Sequence, residues 1–258
     1  MTGLQLYAHQ TRYDLLSFAR NREALFFTVL LPLIFLVIFA TVFGNDTVHV
    51  GGHAIKQTAY YVPNLMALAI TSAALQSLVF AVVTQREQGI LKRRRATPVP
   101  AAALIAGRSL TAIAVSFANF VVLALVGWLA YGVDVPGRTL PAVLVTVAVG
   151  AASLCCVGYA FSTLVRTEES ATPILQATIL PLYFISGVFF PEDTVPRWLL
   201  GIADVFPIRH LAKALLDAYD PATKGSGFAP GHLAVLVAWG ALCLLVAARR
   251  FKWVPQGR

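Results

Sequence analysis

Six long stretches of this chain contain no Asp, Glu, Lys or Arg. Together they hold 149 of the 258 residues, and they run over 24–45, 57–85, 109–133, 139–165, 170–191 and 225–248. The hydrocarbon core of a bilayer takes about 20 residues of apolar helix to cross, and a charged side chain near its centre costs roughly 2.5–3.5 kcal/mol. The sequence therefore predicts an all-α integral membrane protein with six transmembrane helices.

The composition leaves little room for anything else. Only 12% of the residues are charged and 58% are hydrophobic, whereas about 25% of the residues of a soluble domain are charged. Six spans and their connections account for nearly the whole length. We therefore expect residues 1–258 to form a single transmembrane domain, without a second soluble domain.

The positively charged residues lie predominantly on one side of the predicted bundle. With a cytoplasmic N-terminus, the inside segments (1–23, 86–108, 166–169 and 249–258) carry 14 Lys and Arg against 5 acidic residues. The outside segments (46–56, 134–138 and 192–224) carry 6 Lys and Arg against 7 acidic residues. Because cytoplasmic loops are enriched in Lys and Arg, we expect a multi-pass protein of the plasma membrane with both termini cytoplasmic.

The excess positive charge does not indicate a nucleic-acid partner. The basic run of residues 92–95 is not part of a folded basic module, which nucleic-acid binding would need. It is better explained as an anchor to anionic membrane lipid at the cytoplasmic surface.

Residues 1–23 are predicted to form an amphipathic helix at the membrane interface. A cleavable signal is not expected, because the apolar stretch that follows is 22 residues long instead of 7–15. The apolar positions share about 100° of arc on a helix and are Leu4, Tyr7, Ala8, Thr11, Leu15 and Phe18. A solvated cytoplasmic tail is the alternative.

Apolar runs, prolines and basic residues together place the spans. They are predicted at about 24–43, 58–84, 104–131, 139–165, 173–190 and 231–248. We expect Pro32 to kink the first span and Pro173 to lie in the first turn of the fifth.

Two connections are longer than simple turns. Residues 85–97 are charged and compatible with a helix that ends at Pro98. The external segment 191–230 contains prolines at 191, 196, 207 and 221 and two short amphipathic stretches, which are too short to cross the bilayer. Trp198 and Ile202 belong to the first stretch, and Ile208, Leu211, Ala212 and Leu215 to the second. We expect these stretches either to dip back into the bilayer or to lie on it.

These connections resemble a known family. Residues 86–91, Arg-Glu-Gln-Gly-Ile-Leu, followed by Thr97-Pro98, are similar to the Arg-Glu-x-Gly-Thr-Leu…Thr-Pro signature of the ABC-2 type exporter permeases. Residues 186–191, 196–199 and 206–208 resemble that family's Ser-Gly…Pro…Pro-x-Trp-Leu…Asn-Pro-Leu stretch before the last helix. The daunorubicin-resistance and nodulation-type permeases are the nearest groups. The chain departs from the pattern at Ile90, Lys92 and Phe206, and the basic Lys92 leaves the detailed partner contacts open.

The resemblance implies a transmembrane subunit that exports a substrate by alternating access while separate subunits hydrolyse ATP. It implies a pair of permease subunits, as a homodimer or a heterodimer, and two cytosolic ABC ATPase subunits, which bind the ATP and Mg²⁺. The implied coupling helix is 85–97, with Arg86 and Glu87 pairing with charges on the ATPase, Leu91 as an apolar anchor, Gly89 allowing close approach and Pro98 ending the helix. The implied re-entrant segment is marked by Pro191, Pro196, Trp198 and Pro207.

The sequence supports this division of labour on its own. It contains no Gly-Lys dipeptide, and hence no phosphate-binding loop of the G-x-x-x-x-G-K-[ST] type, so we expect neither an enzyme nor a bound cofactor. Carriers driven by an ion gradient usually have ionisable residues within their spans, and the predicted spans contain no Asp, Glu, Lys or Arg. An ion-driven secondary carrier is the alternative.

Other candidate sites are weak. His49 and His53 have a helical i, i+4 spacing, but Gly51 and Gly52 between them disfavour a helix and no third metal ligand is close. Cys155, Cys156 and Cys243 fall within apolar spans and are expected to be free thiols. The apolar, phenylalanine-rich spans suit a lipophilic or amphipathic substrate, either drug-like or a lipid or glycan.

Overall fold

The computed structural model describes residues 3–44, 46–50, 52–95, 101–223 and 225–250, without the side chains of 3–8, 94, 95 and 101–104. We number its helices in chain order, and a helix that contains a π-helical turn is counted as one. They are α1 (Gly3–Arg20), α2 (Arg22–Phe43), α3 (Gln57–Glu87), α4 (Ile90–Arg95), α5 (Ala101–Tyr131), α6 (Leu140–Ser162), α7 (Glu168–Ile185), α8 (Arg197–Ala203), α9 (Pro207–Tyr219) and α10 (Pro230–Arg250). Two strands, β1 (Thr47–Val50) and β2 (His53–Lys56), join α2 to α3.

The all-α membrane architecture is confirmed. In the described part of the chain, five helices are long and apolar enough to cross a bilayer, namely α2, α3, α5, α6 and α10. Helix α7 corresponds to the fifth predicted span, but its 18 residues begin with Glu168 and Glu169 and contain Pro173 and Pro181. The predicted count of six spans therefore stays a prediction.

Helix α3 lies at the centre of the bundle. It packs against α2, α5, α6, α7 and α9, and 78% of its most apolar window is buried, against 22% for α2 and α10. Small residues of α6 allow this packing: a Cβ on Gly150 would lie 2.5 Å from Leu211 of α9, and one on Gly158 would lie 3.3 Å from the Leu75 carbonyl oxygen of α3. Close backbone approach at small residues is the usual way in which helices associate in membranes.

Pro32 disturbs the first span in the way its chemistry requires. A π-helical turn, Phe26–Leu30, precedes it, and because proline has no N–H, the carbonyl of Thr28 loses its usual i+4 donor. The Nδ2 atom of Asn119, on α5, donates to this carbonyl at 3.1 Å. Both residues are only 2% exposed, so a polar side chain of another helix satisfies the backbone group that proline frees.

Helix α1 packs on α5. A Cβ on Gly107 of α5 would lie 2.6 Å from the Gln10 side chain. Thr11, Leu15 and Phe18 of the predicted stripe are half-buried, whereas Tyr13 and Leu16 are exposed. The stripe therefore faces the protein's own bundle along at least part of its length.

The connection after α2, which was predicted as an outside segment, is a β-hairpin. Its strands are antiparallel, with Val48 opposite Ile55 and Val50 opposite His53. Val48 and Ile55 are buried while their neighbours along each strand are more exposed, which is the alternation of a strand with one covered face.

Helix α7 begins earlier and ends earlier than predicted. Thr167 and Ser170 form a capping box, so the helix starts at Glu168, and Pro173 lies inside the helix instead of in its first turn. It ends at Ile185, because Gly187 follows in a left-handed conformation with φ +83°. A single row of α7 side chains is buried, consisting of Ala171, Leu175, Ile179 and Tyr183.

Candidate functional site

The two ends of the bundle differ in chemistry. We call the end that carries β1 and β2 the hairpin end, and the end that carries Lys92, Arg93 and Arg166 the basic end. The segments in which the sequence placed functional residues lie at these two ends, 85–97 at the basic end and 191–230 at the hairpin end.

At the basic end, the segment predicted as one coupling helix is divided. Helix α3 continues to Glu87, and the separate short helix α4 begins at Ile90. Between them Gly89 has φ +69°, and a Cβ there would meet nothing within 4 Å. The role of Gly89 within this chain is thus the left-handed turn that separates the two helices, and no close approach requires it. We call residues 88–93 the elbow.

Arg86 is bound within its own chain, contrary to the expectation that it pairs with charges on a partner. Its side chain is 1% exposed. Nη1 donates to the carbonyl of Ser162 at 2.9 Å, and Nη2 donates to the carbonyls of Arg166, at 3.2 Å, and of Val165. The Ser162 carbonyl ends α6, where the guanidinium caps the negative end of the helix dipole, and the other two carbonyls belong to the turn that follows.

Glu87 and Leu91 also contact their own chain. The Glu87 Oε2 atom accepts a hydrogen bond of 2.6 Å from the backbone N–H of Glu168, the first residue of α7, where a carboxylate is favoured by the helix dipole. Leu91 is 7% exposed and belongs to the apolar core, which attaches α4 to the bundle. It is therefore not an exposed anchor for a partner.

The side chains that remain available at the elbow and on α4 are polar or basic. Gln88, Lys92 and Arg93 are exposed. Pro98 and the rest of the predicted segment after Arg95 lie outside the described residues. The proposed contact with an ATPase at this end thus rests on different side chains from those that the sequence pattern suggested.

At the hairpin end, residues 186–191 insert between helices. Val188 is fully buried, and Phe189 packs against Phe35 and Phe39 of α2. The Tyr60 hydroxyl of α3 reaches back to the carbonyls of Gly187 and Phe190, the second at 3.2 Å. Aromatic packing and this hydroxyl thus hold the segment inside the bundle.

Helix α9 also enters the bundle instead of lying on it. The Thr139 hydroxyl, just before α6, donates to the carbonyl of Ala218 at 2.6 Å, while Leu211 packs on Gly150. Gly150 lies ten residues into α6, about 15 Å along its axis. The predicted apolar face is confirmed as buried, since Ile208, Leu211, Ala212 and Leu215 are at most 2% exposed.

The structure shows a charged cluster that the sequence analysis missed. Arg209, 2% exposed, contacts Asp204 through Nε at 2.5 Å and Glu192 through Nη2 at 3.2 Å, and Lys213 contacts Glu192 at 3.2 Å. Burial raises the pKa of Asp204, but the hydrogen bond and charge of Arg209 outweigh it, so the pKa lies below its ordinary value. The spacing of Asp204, Arg209 and Lys213 along an amphipathic stretch was the only available signal.

Next to this cluster, α9 contacts the last helix through polar groups. The Nδ1 atoms of His210 and His232 lie 2.8 Å apart, and Nε2 of His210 donates to the Asp204 carbonyl at 2.7 Å. The Trp239 indole N–H donates to the carbonyl of Val205 at 2.7 Å. His232 therefore belongs to the junction between α9 and α10.

The prolines predicted to mark the re-entrant segment lie at the starts of its elements. Pro191 and Pro196 precede the 3-10 turn Glu192–Thr194 and α8, and Pro207 occupies the first turn of α9. Trp198 is 69% exposed and forms an apolar surface of α8 with Ile202, which is 46% exposed. The Trp198 stretch is therefore not buried like the α9 stretch.

Within the described residues, no group of three or more His, Cys, Asp and Glu side chains could hold a metal ion. His53 contacts Asp220, at 2.9 Å, and its strand register pairs it with Val50. Cys155 and Cys243 are buried free thiols and Cys156 is half-buried, as expected.

Comparison with known proteins identifies the family. The family model for ABC-2 type transporters matches residues 5–219. The chain belongs to this family. The segments that resemble the family's signatures in the sequence, 86–91 and 186–191, lie at the basic end and at the hairpin end.

Individual relatives are more distant. The probable multidrug ABC transporter permease YbhR of Escherichia coli is 25% identical over 160 residues, which cover 62% of this chain and 43% of that protein. The daunorubicin resistance ABC transporter permease protein DrrB1 of Streptomyces coeruleorubidus is 25% identical over 189 residues, which cover 72% and 65%. ABC transporter G family member 20 of Dictyostelium discoideum is 22% identical over 177 residues, which cover 69% and 23%. The chain thus aligns with less than two thirds of the length of each.

Proposed function

We propose that this chain is the transmembrane permease subunit of an ATP-driven exporter that moves a lipophilic or amphipathic substrate out of the cell. The observation that carries the proposal is the elbow: in a member of the ABC-2 family, the central helix leaves the bundle at the basic end and exposes Gln88, Lys92 and Arg93. A cytosolic motor needs such a contact surface, directly connected to the core of the permease.

The proposed partner is a cytosolic ABC ATPase, present in two copies, which binds ATP and Mg²⁺. Two of the relatives are named as permeases of ABC transporters, which supports a permease that works with a separate motor. We assign no catalytic residue and no cofactor to this chain. The elbow would face the cytoplasm, with both termini on the same side, in the plasma membrane.

We place a second permease subunit against α7. Most of this helix is exposed outside its single buried row, and its exposed face carries Thr172, Gln176 and Thr178. Gln176 lies midway along α7, and a carboxamide without a partner in hydrocarbon is costly. A second copy, or a close relative, would provide one, as polar side chains between membrane helices usually do.

The substrate would leave between the two subunits. We propose that ATP binding brings the motors together, shifts the elbows and reorients α7, so that the path opens past residues 186–191 at the hairpin end. A multidrug and a daunorubicin-resistance relative support a lipophilic, drug-like substrate over a glycan.

Transport in inside-out vesicles tests the proposal. Daunorubicin fluorescence is the probe, the ATPase is supplied by co-expression of the neighbouring gene, and a proton uncoupler is present. We expect uptake that requires ATP and persists with the uncoupler. Uptake that stops with the uncoupler and does not need ATP would establish an ion-driven carrier instead.

Site-specific cross-linking tests the contact surface. In a background without Cys155, Cys156 and Cys243, a cysteine at Gln88 carrying a short photoreactive label should cross-link to the ATPase. A matched cysteine at His49, also exposed but at the hairpin end, should not. Equal cross-linking from both positions would contradict the elbow as the docking site.

A further inference from the structure

Arg86 and Glu87 at the end of α3 both bind the turn that connects α6 to α7. Two consecutive residues at the end of α3 bind the two sides of one turn, since Arg86 binds the carbonyl that ends α6 and Glu87 binds the N–H that begins α7. Each charge is matched to the helix dipole it meets, and hydrogen bonds with one ionised partner are among the stronger ones in proteins. We call this pair of contacts the tie.

The tie is important for α7 because little else holds that helix. Its buried row packs against α3, and in the described part of the chain both side-chain hydrogen bonds that link it to another helix involve α3. They are Glu87 to the Glu168 N–H, at 2.6 Å, and Gln76 Nε2 to the Tyr183 hydroxyl, at 3.2 Å. The position of the start of α7 is therefore linked to the end of α3 through the Glu87 carboxylate.

The elbow lies immediately beyond the tie. Gly89 is two residues after Glu87, and Leu91 fixes α4 in the core. A displacement of α4 that rotates the end of α3 moves Arg86 and Glu87 together, and with them the α6–α7 turn. Without the tie, the same displacement could be absorbed at the turn, because residues 163–167 form no regular helix.

We propose that Arg86 and Glu87 are positioning residues that transmit movement of the elbow to the start of α7, and that they do not dock on the ATPase. This inference rests on the proposed function. It deepens that function by naming the route from the motor contact to the helix that faces the second subunit. Glu87 is the more informative of the two, since it is exposed and its replacement leaves the core intact.

Three variants test the tie in the complete permease–ATPase complex. Glu87→Ala removes the acceptor, whereas Glu87→Gln keeps an oxygen that can accept from the Glu168 N–H. Glu169→Ala is the matched control, because this acidic residue is exposed in the same first turn of α7 and forms no hydrogen bond or ion pair with the described residues of α3. The readouts are ATPase co-purification, daunorubicin transported per ATP hydrolysed, and the ATP-dependent change in thiol labelling of a cysteine at Thr172 on α7.

With Glu87→Ala we expect co-purification of the ATPase and thermal stability to stay close to those of the parent. Transport per ATP should fall by about fivefold or more, the lower range of an ordinary coupling free energy, and the ATP-dependent labelling change should be lost. Glu87→Gln should retain most of both, and Glu169→Ala should retain all of both.

The other outcomes are distinguishable. Loss of ATPase co-purification in Glu87→Ala and Glu87→Gln alike would show that Glu87 docks on the motor, which overturns the tie but leaves the exporter intact. Normal transport per ATP in Glu87→Ala would also overturn it. If the parent protein itself shows no ATP-dependent transport, the proposed function fails, whatever the variants do.

Discussion

The two ends of the bundle each contain a buried arginine, and the two arginines are held in different ways. Arg86 at the basic end is 1% exposed, and Arg209 at the hairpin end is 2% exposed. The direct partners of Arg86 are backbone carbonyls at a helix end. The partners of Arg209 are the carboxylates of Asp204 and Glu192, whose side chains are 50% and 42% exposed.

This difference indicates different mechanical roles. Backbone carbonyls cannot titrate, and they can move only with their helix, so Arg86 forms a fixed junction. Carboxylates at the surface can be solvated or bind another cation, so the two acidic partners of Arg209 can change their contacts more readily than the carbonyls that bind Arg86. This difference suits the proposed transporter, which would be driven from the basic end and release substrate at the hairpin end.

The comparison of the basic end with the hairpin end assumes that they face opposite sides of the membrane. Thiol labelling of single cysteines at the two ends tests this assumption, and it should show the largest difference of all the experiments proposed here. Single cysteines at Ser17 and at His49, both exposed, should differ completely in intact cells. An impermeant thiol reagent should label the His49 position and leave the Ser17 position unmodified. Thr223 should behave like His49, whereas the corresponding inside positions Thr97 and Gln256 lie outside the described residues. Labelling of Ser17 from outside would reverse the assignment of the ends.

Replacement of Arg86 should be the most destabilising of the charge changes. Arg86→Met leaves three backbone carbonyls without this donor, and each buried acceptor left unsatisfied costs about 1–3 kcal/mol. We expect a large fall in the thermal unfolding temperature in detergent, with Arg86→Lys intermediate. The exposed Arg93→Met is the control, and equal unfolding temperatures for the two Met variants would show that the tie contributes little to stability.

Replacement of Arg209 should cost less, although it is buried to the same extent. In Arg209→Met the two carboxylates remain partly exposed and become solvated, so we expect a loss of about 1–2 kcal/mol. Unfolding in the same detergent, side by side with Arg86→Met, gives the comparison directly. A loss for Arg209→Met as large as that for Arg86→Met would contradict the distinction between fixed and releasable ends.

The smallest effect concerns pH. Arg209 holds the pKa of Asp204 below its ordinary value of 3.8, so the ion pair stabilises the fold above that pH and the stabilisation is lost as the pH falls through the depressed pKa. The difference in unfolding temperature between the parent and Asp204→Asn should be present at pH 7 and shrink below about pH 4. The difference between the parent and Arg86→Met should persist over the same range, because carbonyls do not titrate.

The sequence alone predicted the features that depend on local composition. The exclusion of charge from each span is visible residue by residue, and the buried face of α9 is visible in the spacing of Ile208, Leu211 and Leu215. The contacts that Arg86 and Leu91 make within the chain could not be predicted, since their partners come from distant parts of the chain. Ser162, whose carbonyl Arg86 binds, is 76 residues away. No local sequence pattern distinguishes an arginine that binds a partner protein from one that caps a helix of its own chain.

The hairpin and the start of α7 were missed for different reasons. Strands of four residues carry little periodic signal. Gly51 and Gly52 were interpreted only as residues that disfavour a helix. At α7, the capping box formed by Thr167 and Ser170 outweighs the preference of Pro173 for a first turn. Here the local signals were present, but they conflicted with a pattern based on proline alone.

The single buried row of α7 has a geometrical consequence. Ala171, Leu175, Ile179 and Tyr183 follow one another at intervals of four residues, so they form one narrow ridge, inclined by about 26° to the helix axis. A helix that contacts its neighbour through one narrow row of side chains can rotate about that row while these contacts persist. Helices α3 and α6, covered on several sides, have no such axis. Helix α7 shares this property with α2 and α10, which also bury a single row, and it can turn a different face to its surroundings without opening a void in the core.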